Sequence, residues 1–532
     1  MEEYFRFAVQ NIARHGDTDV FPFPIENHVL YDEEDLVVSA LLKINSDISA
    51  SISDNPPIVE GMLSPVGYTG FRWATQLDPL WNAYFLGLVL SIAEKIEAAR
   101  LPIEKENIFS YRLNLDSTDK TIFNKNIGWM QFQKTSIERA KKSKFVLICD
   151  IADFYPRIYH HRLENALQKA TSNKSTTASI MKLLMQFSNN VSYGLPVGGP
   201  AARLLSELLL NRIDRLLITN KIKFCRFADD YHIFTNSSED AYQALLLISE
   251  KLQENEGLLL QKTKTRIMSS EEFLSTSEFS EENEPEDEAQ RASRNFLRLR
   301  LHYDPYSTTA DADYDSLKME VGKFDVVGML AHEMRKSKIH QSLVRKLIST
   351  LRLLKPAQRD SAIVSLMENL TVLYPVYPNI MLLLKGAMND MSEPTKEKVF
   401  TILRELLQKG SYIVSVPTHL AYTIRVLAHD ASQEADEILA NIYEKSNSSL
   451  IRRDIILAMA NKNADFWISD VRKKFKTVTE WEQTALLVAS HILGDEGEHW
   501  RKSIKSALLP MQKIAFEWST KRFKSGNKEV PI

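Results

Sequence analysis

The stretch Cys225–Phe234, CRFADDYHIF, sets two adjacent aspartates, Asp229 and Asp230, between two short apolar runs. On both sides the residues are aromatic or β-branched and alternate, which predicts two antiparallel strands with the acid pair at a tight turn between them. Two carboxylates side by side repel unless something positive lies close by. An acid pair of this kind, taken alone, is most often a solvated turn.

A third acid changes that reading. In Phe145–Tyr159, FVLICDIADFYPRIY, Asp150 ends a strongly apolar strand, a place where a carboxylate is out of keeping unless it caps the helix that follows. If that strand lies beside the hairpin, Asp150 meets Asp229 across the sheet and three carboxylates share a small space. Such crowding raises pKa values and costs stability unless divalent metal neutralises it. Hard oxygen ligands with open positions suit Mg²⁺. Two such ions about 4 Å apart form the clamp used for in-line displacement at phosphorus.

The surrounding sequence sets the frame. At 532 residues the chain is long enough for two or three domains. Its net charge of −3 hides an uneven distribution, because acid is concentrated in Ser270–Gln290 and the remainder is basic. Cys149 and Cys225 fall in predicted buried strands without CxxC or His companions, which speaks for a reducing compartment and against structural zinc. The N-terminus lacks a basic-then-apolar signal and no apolar run reaches bilayer length, so a cytoplasmic protein without membrane contact is expected.

From Phe145 to Met268 strands (KFVLICDI, FCRFADDYHIF, GLLLQKTKTRIM) alternate with helices, giving an α+β unit with helices on one face of a small, mostly antiparallel sheet. After the acidic tract the pattern is almost wholly helical. Paired amphipathic segments recur at about the 40-residue spacing of HEAT-type repeats, which predicts a stacked α-solenoid. The expected boundaries are 1–269, an acidic linker over 270–292, and helical repeats over 293–532. Within this frame DADYD (Asp311–Asp315) reads as a helix start, and His160 and His161 as helix-surface residues.

Four segments in order, CDIADFYPRIY, GLPVGGPAARLLSELLLNRID, CRFADDYHIF and LLLQKTKTRI, resemble palm motifs A, B, C and D of reverse transcriptases. The likeness is greatest to the bacterial abortive-infection and unknown-group defence reverse transcriptases, which also follow a right-hand fingers-and-palm polymerase with a HEAT-like helical domain and lack an evident thumb. HGDTDVFPFPIENH (His15–His28) and FSYRLN (Phe109–Asn114) are similar to that group as well.

The resemblance implies that Asp150 and Asp229 are the principal ligands of two Mg²⁺ ions, or of Mn²⁺ in their place, with the Ile151 carbonyl assisting and Asp230 in support. It places Asp153, Phe154 and Tyr155 against the incoming dNTP. Tyr155 corresponds to the steric gate that leaves no room for a ribose 2′-hydroxyl. In motif B, Gly194, Gly198 and Gly199 allow close backbone approach to substrate. Many reverse transcriptases carry glutamine where this chain has Val197, and valine forms no hydrogen bond to the nucleotide. Arg203 is a candidate contact to template or nucleotide, with a surface ion pair as its alternative. In motif D, Lys264 fits the lysine that protonates departing pyrophosphate, with Lys262 the competing assignment. Arg112 and the run Lys134–Lys144 are candidates for gripping phosphates.

In the helical half, the basic face of Leu330–Lys355, with Arg335 and Lys336, and the segment Arg291–Tyr303 suggest a cationic track for single-stranded nucleic acid, with Tyr303 and Tyr306 for stacking. What the resemblance implies for function is a DNA polymerase of reverse-transcriptase type in antiphage defence. It would act on a non-coding RNA or without a template, from a nucleic-acid or protein-tyrosine primer, and release single-stranded DNA. Self-association into a trimer or hexamer is implied too. The rival reading is a catalytically silent palm serving as a scaffold for nucleic-acid or protein partners. That rival predicts damage at Asp150, Asp229 or Tyr155, and all three are intact.

Overall fold

The computed structural model describes residues 1–276 and 310–532, together with 292, 293, 295–297 and 299. The chain opens with helices Glu2–His15, Glu26–Asp32, Glu34–Ser46 and Ile48–Asp54, then a hairpin of β1 (Val59–Val66) and β2 (Gly70–Leu77). Behind it runs helix Pro79–Ala99, started by Pro79 and by the Asp78 side chain, which accepts from the Trp81 N–H at 3.0 Å. This helix is apolar on nearly every side because other helices surround it. Glu2–His15 crosses so closely that a Cβ at Gly87 would overlap the Phe5 ring.

The central sheet holds β3 (Phe145–Asp150), β4 (Lys223–Phe227), β5 (Asp230–Thr235) and β6 (Arg266–Ser269), in the spatial order β4–β5–β3–β6 and antiparallel throughout. Side chains alternate between two apolar layers. Leu147, Cys149, Tyr231 and Ile233 join the main core, whereas Val146, Cys225, Phe234 and Met268 join a second cluster with Phe132, Phe273 and Leu274. Both faces are therefore covered: helices Pro200–Thr219 and Ser238–Glu256 lie on one, Trp129–Ala140 and Ser270–Thr276 on the other. That corrects the expectation of a sheet covered on one face, and it explains why β3 reads as an unbroken apolar run. Both cysteines are buried free thiols.

Two further expectations change. The strand predicted over Gly257–Met268 shortens to β6, because the residues before it wrap the end of β3. The Ala152 N–H donates to the Leu259 carbonyl at 2.8 Å and the Gln261 N–H to the Asp150 carbonyl at 2.7 Å. Ser270–Thr276, predicted as the start of a solvated linker, is a helix that buries Phe273 and Leu274. The rest of the acidic tract lies outside the described residues.

The C-terminal helices pack in two rows. One contains Gln341–Thr350, Tyr377–Ala387, Pro417–Leu427, Ser449–Asn461, Glu480–Ala489 and Pro510–Lys524, each against the next; the other contains Pro356–Glu368, Glu393–Gln408 and Gln433–Lys445. The first row leans on the N-terminal half. Trp518 Nε1 donates to Asp32 Oδ2 at 2.6 Å, Lys521 pairs with Glu33 at 2.7 Å, and Arg425 Nη1 donates to the Phe23 carbonyl at 2.6 Å. One apolar core runs from Phe5 through the palm to Trp518 and Ile532. No single described helix is long and apolar enough to cross a membrane.

Candidate active site

The antiparallel register sets Asp150, the last residue of β3, opposite Asp230, the first of β5. Asp229 occupies the turn just before it, and the Ile151 N–H donates to the Asp229 carbonyl at 3.2 Å. The turn requires a left-handed residue, and Ala228 takes it at φ 52°. Strand pairing alone thus brings three acids from distant parts of the chain to one edge of the sheet.

Their electrostatics are unbalanced. Burial, then the Asp150 carboxylate, pushes Asp229 up to about 6. Burial, then Asp229 and Asp150, pushes Asp230 up to about 7. Lys264 answers part of this charge: its Nζ lies 2.7 Å from Asp150 Oδ2, while Lys262 is exposed and has no such partner. Of the two lysines named for motif D, the structure brings Lys264 to the acids.

The three carboxylates do not form a ready-made cage. Among the described residues no three His, Cys, Asp or Glu side chains are gathered closely enough to hold an ion. This qualifies the expected convergence: Asp150 is engaged by Lys264 at 2.7 Å. The donor chemistry still fits a hard divalent cation. Asp150 and Asp229 offer hard oxygens beside the Ile151 main chain, and their mutual repulsion is what such a cation would relieve.

Beneath the turn is a cation that sequence reading missed. Arg226, wholly buried, bonds Asp214 at 2.9 and 2.7 Å and Glu207 at 3.0 and 2.9 Å, and donates from Nη1 to the Ala228 carbonyl at 2.9 Å. Glu207 is further tied to Arg100 and to Ser110. Burial works against the Glu207 carboxylate, yet Arg226 and Arg100 hold it below its usual range. Asp214, ion-paired with Arg226 and accepting from the Tyr231 hydroxyl at 3.2 Å, is lifted by burial. Through Arg226 the motif B helix, Pro200–Thr219, holds the acid turn in place.

Tyr155 sits next to Asp229 in the field of Tyr111 and Arg203; its hydroxyl is buried beside Ser206 with no well-formed hydrogen bond. Tyr111 packs on Phe227 at 5.9 Å, and the Arg203 guanidinium lies 5.2 Å over its ring. Sequence reading chose Arg112 in this segment, and the structure corrects that choice. Arg112 is 1 % exposed and donates to the Ile108 carbonyl, the Leu101 carbonyl and Glu97, so it cannot reach a triphosphate. Tyr111 adopts a left-handed backbone (φ 46°), which turns the two neighbours apart in a way no spacing rule reveals.

Motif A is stitched to the motif B loop. The Leu195 N–H donates to the Tyr155 carbonyl at 2.9 Å and Gly194 to Ile158 at 2.8 Å, while the His160 ring bonds the Gly194 carbonyl at 2.7 Å. His160 is therefore a buried brace and not the helix-surface residue expected; His161 is exposed. Gly198 (φ 113°) is approached by Thr18, where a Cβ would clash, and the next residue, Asp19, pairs with Arg203 at 2.7 Å. Asp153 is exposed in a left-handed conformation and pairs with Arg157; Phe154 is buried against Tyr155. Arg335 and Lys336 are exposed, with Lys336 on Glu333, at the tip of the β1–β2 hairpin, where the Ile339 N–H donates to Tyr68. Arg291, Tyr303 and Tyr306 lie outside the described residues.

Residues 92–297 match the family described as reverse transcriptase (RNA-dependent DNA polymerase). No curated protein matches the sequence. Among solved structures, the chain is similar to a telomerase from Candida albicans in complex with a TWJ fragment of telomeric RNA, at 11% identity and a TM-score of 0.30, covering 74% of this chain and 66% of that one. It is also similar to apo telomerase from Candida tropicalis, at 10% identity and a TM-score of 0.29, covering 72% and 73%. The chain thus spans just under two thirds of the first of these telomerases. Over residues 92–297, which hold all three aspartates and Tyr155, this chain carries a reverse transcriptase domain, that of an RNA-directed DNA polymerase.

Proposed function

We propose that the protein polymerises dNTPs into DNA in antiphage defence, as a cytoplasmic member of the abortive-infection or unknown-group reverse transcriptases. The observation that carries the polymerase reading is the charge imbalance at Asp150, Asp229 and Asp230, only partly answered by Lys264 and, beneath the turn, by Arg226. Asp150 and Asp229, with the Ile151 carbonyl, would hold Mg²⁺ and Asp230 would support them. When bound, a pair of such ions supplies Lewis-acid activation of the attacking hydroxyl and charge relief at the leaving pyrophosphate.

The chain's own residues do the rest. Lys264 carries a proton at Nζ within reach of the site and delivers it to pyrophosphate. Tyr155, wedged by Tyr111 and Phe154, closes the space below the sugar and selects deoxynucleotides by clash. Arg203, held over Tyr111 by Asp19, faces template or triphosphate. The defence role, the HEAT-like character of the helical half, the trimeric or hexameric state, and synthesis on non-coding RNA or without a template are supported by the motif resemblance.

The test uses purified protein, Mg²⁺ and labelled dNTPs, with and without co-purified RNA. Incorporation is expected, and Asp229→Asn is expected to reduce it at least about a hundredfold. Unchanged incorporation in that variant would reject the assignment. Protease treatment before electrophoresis distinguishes protein-primed from free product.

A further inference from the structure

Asp19, the residue that anchors Arg203, also borders a cavity of about 280 Å³ between the lead-in segment and the first row of C-terminal helices. Its walls combine aromatic rings (Phe21, Phe23, Tyr422) with two cations, Lys385 and Arg425. Arg425 is 4 % exposed; Nε bonds Asp454 at 2.9 Å and Nη1 the Phe23 carbonyl, but Nη2 is buried with no partner. The Lys385 side chain makes no hydrogen bond or ion pair among the described residues. Burial, then Arg425, lowers it to about 8.

The nearby anions do not balance this charge. Asp454 is shared by Arg425 and Arg453, Asp19 is engaged by Arg203, and Glu529 is exposed. His28 and His429 register the positive field: burial, then Lys385, depresses both. A buried donor without a partner is costly, and Arg425 Nη2, with the half-buried Lys385 ammonium on the same cavity, marks a place for an anion. Phosphate oxygens accept from guanidinium and ammonium groups together. Phe23 is 45% exposed yet held against Gly16, where a Cβ would overlap its ring, so it presents a fixed face for stacking a base.

We propose that this cavity binds a nucleoside phosphate, the phosphate on Arg425 and Lys385 and the base on Phe23. The ligand is a free nucleotide or the phosphorylated end of a strand, which share this chemistry. The site lies apart from the palm aspartates and goes beyond polymerisation itself.

The test is calorimetric titration of the full chain in EDTA with dAMP, deoxyadenosine, and (dT)4 carrying either a 5′-phosphate or a 5′-hydroxyl. Binding of dAMP alone identifies a free nucleotide, and binding of the phosphorylated oligomer alone a strand end; either outcome, or both, supports the site. Deoxyadenosine and the 5′-hydroxyl oligomer are expected to bind about tenfold more weakly or worse. Lys385→Gln should weaken the phosphorylated probe about tenfold and Lys385→Arg restore it, since this side chain makes no other hydrogen bond or ion pair among the described residues. Asp229→Asn should leave binding unchanged. The proposal is overturned if neither phosphorylated probe binds, if the phosphate makes no difference, if Lys385→Gln binds as the parent does, or if Asp229→Asn abolishes binding.

Discussion

Two acidic clusters lie on either side of the same turn and are treated in opposite ways. Below it, Glu207 and Asp214 meet Arg226 and Arg100 in a buried network of hydrogen bonds. Above it, Asp150, Asp229 and Asp230 share one ammonium, and that ammonium is itself largely exposed. The lower cluster is finished when the chain folds. The upper one keeps charge in reserve, and a residue of the same type acquires structural or chemical work according to whether its countercharge belongs to the chain.

The largest effect is expected from breaking the finished cluster. Arg226→Met would leave the buried Asp214 without its ion-pair partner and Glu207 with Arg100, and cost about 3–5 kcal/mol, read as a lower urea midpoint at unchanged m. Asp230→Asn, by contrast, should leave the metal-free protein no less stable than the parent while polymerisation falls. An Asp230→Asn protein as unstable as Arg226→Met would erase the distinction. Next in size, Lys264→Gln should lower the rate of nucleotide addition by about a hundredfold with little change in dNTP affinity; a pure affinity loss would assign Lys264 to binding.

A smaller effect concerns pH. Asp229 and Asp230 titrate higher in the folded protein, at about 6 and 7, than free carboxyls do. The folded state therefore binds the extra protons, and the metal-free protein should lose stability as pH rises from about 4 through 7. Added Mg²⁺ should raise the melting temperature at pH 8 and hardly at pH 5; equal shifts at both would sever the link between acid repulsion and metal. The smallest change in turnover is expected at Arg112, where Gln should destabilise by about 1–3 kcal/mol and leave activity per folded molecule intact.

The sequence made the acids at the turn legible because they interrupt apolar strands, and strand period 2 carries Asp150 to the same edge. Helix Pro200–Thr219 is legible in the proline at its start. Arg226 is not, because an arginine in a strand reads as solvent-facing until the acids that enclose it, from a different helix, are known. Tyr111 and Arg112 exchanged roles for want of one backbone angle, and the covering of the sheet's second face depended on a helix placed inside a tract that composition marks as solvated. Each of these failures involves information held in long-range packing.

The bonds from Trp518 to Asp32 and from Lys521 to Glu33 tie the far end of the helical array to the opening helices. Polymerase and array are consequently not interchangeable cassettes: an exchange between relatives would have to carry both surfaces across together, and substitutions on one side of the seam constrain those allowed on the other.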